Sequence, residues 1–347
     1  MNQPPPADRR SRSKTLLNIT LALIGAVLLL VTVRRVGWND VRSGLGQVGW
    51  WFLLVLVLGG LRFTARARAW MAAAEGVTKA HGLGPLLPEG VPRSALRTAD
   101  FLGAVLAAEA LGNLTPLGLL ASEPAKILLV RHRLPTIVAI ISVAIENAFY
   151  VASVVVMLAA GAAVFISLAN LPAGLRVGVQ VVLAGAAASA IAAVIIARRR
   201  PALLSRLARV LSALTGRGET SSGRLVEIEA QFYGMLRWPA SRLTRVTAWE
   251  ALFHVAAVAE VYLVLRLLAG GSTISLADAF VLETTGRLIA VAFKFVPYRL
   301  GVDEAGTAIV AAALAIDPTA GVTLALLRRL RILCWNAIGL IVLARSK

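Results

Sequence analysis

The sequence predicts an all-α polytopic membrane protein of about six spanning helices plus two inverted re-entrant helical hairpins, and three observations carry that prediction. Composition is the first: 58% of the 347 residues are hydrophobic and only 16% are charged, with a mean hydropathy of +0.77. A soluble chain carries about 25% charge. The second is the placement of the basic residues. The formal charge is +18, yet the lysines and arginines gather at the ends of apolar runs, where they set topology and contact anionic lipid. Nucleic-acid binding would instead need them on one soluble face. The third is a pair of short apolar stretches, each broken by proline, glycine and acid, near Pro116 and near Pro297.

In chain order, residues 1–14 form a proline-rich tail with Arg9, Arg10, Arg12 and Lys14, expected to be disordered. The remainder, 15–347, is expected to be a single transmembrane domain. The run 15–33 has the length of a span and ends in Arg34-Arg35 without a small-residue cleavage site, so it is expected to be a retained helix. Trp50-Trp51 marks an interface, and a second span is expected at 48–64. A long basic connection follows, carrying Arg66, Arg68, Lys79, Arg93 and Arg97. Its charge, like that of the tail, places it in the cytoplasm.

Residues 99–112 rise only about 21 Å as a helix. They run into Asn113-Leu114-Thr115-Pro116-Leu117-Gly118, and a second short run ends at Arg131-His132-Arg133. With basic flanks at both ends, the economical reading is a hairpin that enters from the cytoplasm and returns to it. A single kinked span is the alternative. The run 136–169 would be about 50 Å long as a helix, more than one perpendicular span requires. A Gly/Ala-rich span at 176–197 stops at Arg198-Arg199-Arg200-Pro201. Segment 201–237 alternates arginine with leucine, as a cytoplasmic amphipathic helix on an anionic leaflet followed by a loop does, with a partner-binding helix as the alternative. Spans at 245–268 and 319–343 enclose the second broken stretch, which enters from outside in this topology. Both termini are then cytoplasmic, in a bacterial-type inner or plasma membrane.

The two broken stretches match. Pro116 precedes Glu123 by seven residues, and Pro297 precedes Glu304 by seven, with Gly118 and Gly301 between them. Two inverted copies meeting near the bilayer midplane would place helix ends and ionisable groups where transporters build binding sites. Pro116, Gly118, Pro297 and Gly301 are the expected helix breaks. Glu123, Lys126, Arg299, Glu304, Arg328 and Arg331 are the expected substrate-binding residues. A lipid-exposed arginine at the middle of a span costs about 3 kcal/mol or more, so Arg328, Arg329 and Arg331 should face protein, water or an anion. Arg328 and Arg331 share a helix face, from which Arg329 is rotated. Internal pairing with Glu304, Asp303, Glu146 or Glu283 and a phosphate site both remain open, and Glu304 is the expected counter-charge. Glu250 and Glu260 are assigned as partners of Arg245 and Arg266. Tyr298 and Trp335 fit packing or interfacial roles. Cys334 is alone, and His81, His132 and His254 lack ligand spacing, so neither metal nor cofactor is expected.

Pro297-Tyr298-Arg299-Leu300-Gly301-Val302-Asp303-Glu304-Ala305 resembles the proline–leucine–glycine–valine–x–glutamate–alanine signature of the flippase-like family. That family includes the transmembrane region of bacterial lysylphosphatidylglycerol synthases. Thr115-Pro116-Leu117-Gly118, followed by Glu123, Lys126, Leu129 and Arg131, is similar to its first motif, although Gly118 lies only two residues after Pro116. The likeness covers roughly residues 15–344. It implies an integral membrane fold that handles lipids, often as a flippase. Synthase members also carry a large soluble aminoacyl-transferase domain. The sequence ends at Lys347 without room for one, so synthesis is not expected. Three functions compete: a non-enzymatic translocator of an anionic or polyprenyl-linked lipid, a non-transporting accessory subunit of a lipid or glycan biosynthetic complex, and a membrane-embedded headgroup transferase. The third lacks a nucleophile–base motif in the sequence. The expected partners are membrane lipids, with a second copy or a biosynthetic enzyme as a compatible protein partner.

Overall fold

The computed structural model describes residues 38–80, 96–114, 118–168, 171–200, 202, 206, 220–269, 273–293, 299 and 301–345. Among them there are helices and no strands. The helices are α1 (Trp38–Val48), α2 (Phe52–Ala80), α3 (Thr98–Leu114), α4 (Gly118–Val130), α5 (Thr136–Leu168), α6 (Ala173–Arg199), α7 (Thr220–Gly234), α8 (Ala240–Leu268), α9 (Leu276–Ala292), α10 (Val302–Ala313) and α11 (Pro318–Arg345). The expected span at 15–33 and the breaks Pro116 and Pro297 lie outside the described residues. So does most of 201–219.

Several helix ends follow from local chemistry. α9 opens with a capping box, in which the Ser275 side chain accepts from Asp278 N–H and Asp278 accepts from Ser275 N–H. At the start of α11, Pro318 occupies the first turn, where its missing N–H costs nothing, and Asp317 Oδ1 accepts from Thr319 N–H at 2.9 Å. α6 ends on Arg200 in the left-handed region at φ 43, with Arg198 and Arg199 complementing the negative end of its dipole.

Among the described residues, four segments are long and apolar enough to cross a membrane: Leu45–Thr78, Thr136–Leu168, Ala173–Arg199 and Ala240–Leu268. They correspond to four of the six expected spans. α6 shows the lipid-facing character most clearly. Val177, Val181, Ile191, Val194, Ile195 and Ile196 are all exposed on it, a surface stable only against apolar surroundings. α11 is as long, but its three central arginines set it apart. One boundary differs from expectation. The second span does not give way to a loop at 65: α2 continues to Ala80, because Ala65, Ala67, Ala69, Ala73 and Ala74 favour helix and are fully buried.

Tertiary contacts group the chain into two compact units. One comprises Leu56–Ala163, Pro172–Ala257 and Leu333–Lys347. Its core packs Trp70 edge-on to Phe101, with centroids 4.7 Å apart, over Val130, Leu134, Ile141 and Ile145. The one polar atom Trp70 buries is satisfied, since Nε1–H donates to Ser142 Oγ at 3.0 Å. In this unit α3 and α4 are in contact across a three-residue link, the first of the two expected helical hairpins.

The other unit comprises Met1–Val55, Val164–Leu171 and Val258–Ile332, and holds the second hairpin, α9 packed against α10. Gly301 caps α10 at φ 74, a conformation that costs a residue with a Cβ about 1–2 kcal/mol. Gly321 lets α11 approach α10 closely, because a Cβ there would stand 2.8 Å from the Thr307 carbonyl oxygen.

Candidate functional site

Each unit holds a buried network of charged side chains built around its hairpin. In the unit of α9 and α10, the sequence Arg328-Arg329-Leu330-Arg331 on α11 directs guanidiniums two ways, since neighbouring helical residues are rotated by about 100°. On one face Arg331 Nη1 donates to Glu260 Oε2 of α8 at 2.8 Å. Arg328 Nη2 donates to Glu283 Oε2 of α9. Arg328 Nε lies 3.9 Å from Glu260 Oε1, beyond hydrogen-bond reach. Arg287 closes the row, donating from Nη2 to Glu283 Oε1 at 2.7 Å. Gly286 makes room for it all, because a Cβ there would stand 3.0 Å from Arg328 Nη1.

Within this row three guanidiniums gather about two carboxylates. Glu260 is fully buried and Glu283 nearly so. Ionised carboxylates persist at such positions only when paired.

On the other face Arg329 Nη1 lies 2.6 Å from Glu304 Oε1, and Glu304 is fully buried in the first turn of α10, where the helix dipole favours its charge. Arg329 Nη2 also donates to the Arg299 carbonyl at 3.4 Å. Arg299 stands at φ 49, a left-handed conformation unusual for a residue with a Cβ, and its Nε donates to Asp303 Oδ2 at 3.0 Å. These two pairs are charge-balanced.

The structure therefore brings Arg328 and Arg331 together, as expected from their shared face, but corrects the partner. Glu304 pairs with Arg329, while Glu260 and Glu283 serve Arg328 and Arg331. The assignments of Glu250 and Glu260 change as well. Arg245 pairs with Glu75 at 2.9 Å, and Glu260 pairs with Arg331 rather than Arg266. The reason is tertiary: α8 and α9 lie against one face of α11, and α10 against the other.

In the unit of α3 and α4, Lys126 Nζ donates to Glu123 Oε1 at 3.1 Å, and Asn147 Nδ2 donates to Glu123 Oε2, also at 3.1 Å. Arg66 of α2 joins from outside the hairpin, ion-paired to Glu146 Oε1 at 2.6 Å, with its guanidinium 4.0 Å over the Tyr150 ring. Lys126 Nζ stands 4.0 Å from Glu146 Oε2. Glu123 and Lys126 are thus together, and Gly118 opens α4. Arg66 was missed because the sequence placed it in a loop. Arg66→Ala is expected to destabilise the fold by about 2–3 kcal/mol, below the usual buried-pair value because Lys126 remains near Glu146. Adding Glu146→Gln should recover most of that loss in thermal unfolding.

Among the described residues no three His, Cys, Asp or Glu side chains gather as a metal site. The fold and its buried charges define the class as a helical integral membrane protein with two helical hairpins among the described residues. Residues 17–339 match the family described as lysylphosphatidylglycerol synthase TM region, and the chain belongs to that family. No curated protein and no solved structure matches it.

Proposed function

We propose that the protein moves an anionic or polyprenyl-linked lipid between leaflets, and that the Arg287–Glu283–Arg328–Glu260–Arg331 row handles the lipid phosphate. The observation that carries this reading is the clustering of three arginines about two buried glutamates, beside a helical hairpin in a membrane protein of this family. Charged side chains at membrane depth mark substrate pathways by default. Arginine's planar fork suits a phosphate, whose oxygens compete with carboxylates for the same N–H groups. The row would rest on its own glutamates and exchange them for the lipid. Binding and displacement suffice, and no covalent step is assigned.

The reading includes a topology: both hairpins re-entrant and inverted, both termini cytoplasmic, in a bacterial-type inner or plasma membrane. On a Cys334→Ser background, Leu96→Cys and His132→Cys should label only from the cytoplasm and Thr273→Cys only from outside. Labelling of position 96 and position 132 from opposite sides makes the first hairpin a span and rejects the inverted arrangement.

The function itself is tested with purified protein in vesicles carrying a headgroup-labelled anionic lipid in one leaflet. Transfer to the other leaflet above protein-free vesicles is expected. Transfer at the protein-free rate rejects the proposal and leaves the accessory-subunit reading.

A further inference from the structure

A third charged feature belongs to neither hairpin. The face of α2 that carries Arg68, Met71 and Glu75 and the first turns of α8 enclose a surface groove lined by Arg68, Met71, Ala72, Glu75, Arg245 and Trp249. The cavity holds about 120 Å³, below the range of drug-sized ligand pockets and suited to one compact anionic group. Its floor is fixed by close packing, with Ala69, Ala72 and Val246 buried together under Trp249.

Arg68 is the unusual member. It is half-buried, its Nε is buried without an acceptor, and no carboxylate among the described residues lies within ion-pairing distance. Its guanidinium lies 5.5 Å from the Trp249 ring centroid. That contact is a modest attraction and leaves the charge unneutralised. Across the groove Arg245 is held by Glu75 at 2.9 Å, but both side chains are substantially exposed, 61% and 30%. Exposed pairs of this kind contribute little to stability, so Arg245 exchanges partners at little cost. Two guanidiniums and one carboxylate leave a net charge of one, beside an aromatic wall and two apolar side chains.

We propose that this groove is a binding site for a phosphodiester anion, with Arg68 and Arg245 holding the phosphate and Met71 and Trp249 bordering the group attached to it. A phosphodiester carries the single negative charge the groove lacks, and its substituents suit the apolar wall. The phospholipid headgroup is the source with that chemistry at a membrane protein's surface, and free inorganic phosphate is the other source of the same oxyanion. Glu75 acts as the resident competitor that an incoming phosphate displaces from Arg245. The site stands independently of the translocation reading, since none of its residues belongs to the Arg328 row.

The test is isothermal titration of the full-length protein, in neutral detergent, with short-chain phosphatidylglycerol. Short-chain phosphatidylcholine tests the effect of a compensating headgroup charge, and inorganic phosphate tests the free ion. Arg68→Gln should weaken phosphatidylglycerol binding about tenfold, the loss of one charge-assisted hydrogen bond, and Arg68→Lys should fall between. Glu75→Gln should tighten binding several-fold by releasing Arg245, an effect that a purely structural Glu75 would not produce. Arg328→Ala should leave the Arg68-dependent component unchanged. Phosphate binding with the same Arg68 and Glu75 dependence keeps the oxyanion site and makes the free ion its source. Wild-type titrations for both Arg68→Gln and Glu75→Gln, with protein that melts normally, overturn the proposal. Vesicle transfer is measured separately, so failure of this site and failure of translocation are distinguishable.

Discussion

Arg331→Ala is expected to lower stability by about 3–5 kcal/mol, the usual cost of removing one partner from a buried ion pair. Glu260 is fully buried and takes its 2.8 Å hydrogen bond from Arg331. Arg328 Nε, at 3.9 Å, is too far away to replace it without moving. The loss belongs to the stranded carboxylate rather than to the missing guanidinium. Adding Glu260→Gln should therefore restore most of the lost thermal stability, even though the double variant has lost both charges. Thermal unfolding in detergent reads this directly. A double variant no more stable than Arg331→Ala alone would mean that packing, not charge, is what Arg331 supplies.

Arg328 should behave differently, because the carboxylate it engages is held by a second guanidinium as well. Its Nη2 engages Glu283 while its Nε makes no hydrogen bond. Arg328→Ala leaves Glu283 paired with Arg287 at 2.7 Å, so the structural cost is smaller than at Arg331. Lipid transfer should fall about tenfold or more, since hydrogen bonds to charged groups contribute about 1.5–3 kcal/mol each. Arg328→Lys should recover only part of the rate, keeping the charge but losing the fork. Gly286 reports on the same place. Gly286→Ala crowds Arg328 Nη1 without touching any charge, and should slow transfer with little change in melting. Rates normalised to folded protein decide these cases.

How much of this was legible in the sequence depends on the range of the interaction. The apolar runs gave the long helices, because hydropathy is local and the four membrane-length segments are uninterrupted. Gly301 was legible as a break for the same reason, and it stands at φ 74 at the start of α10. The shared face of Arg328 and Arg331 followed from helical periodicity alone. What was not legible is which acid each arginine meets. Arg331 and Glu260 are 71 residues apart, and Arg328 and Glu283 are 45 apart. Glu304 is nearer to Arg328 in sequence but lies on the helix that packs beside Arg329. Proximity in the chain favoured the wrong carboxylate. α2 failed in the opposite way. Arginines at 66 and 68 suggested a polar loop, whereas alternate alanines let the helix pack deeply while Arg66 reaches Glu146.

The central claim is that a buried arginine row handles a lipid phosphate. The most direct measurement follows transfer of an anionic lipid and an uncharged diacylglycerol through one preparation, in vesicles otherwise identical, for wild type and Arg328→Ala. Each rate is corrected for that in protein-free vesicles. The account predicts protein-dependent transfer of the anionic lipid that Arg328→Ala largely abolishes, and little protein-dependent transfer of the uncharged one. Equal protein-dependent rates for both lipids, unchanged by the substitution in folded protein, would contradict it.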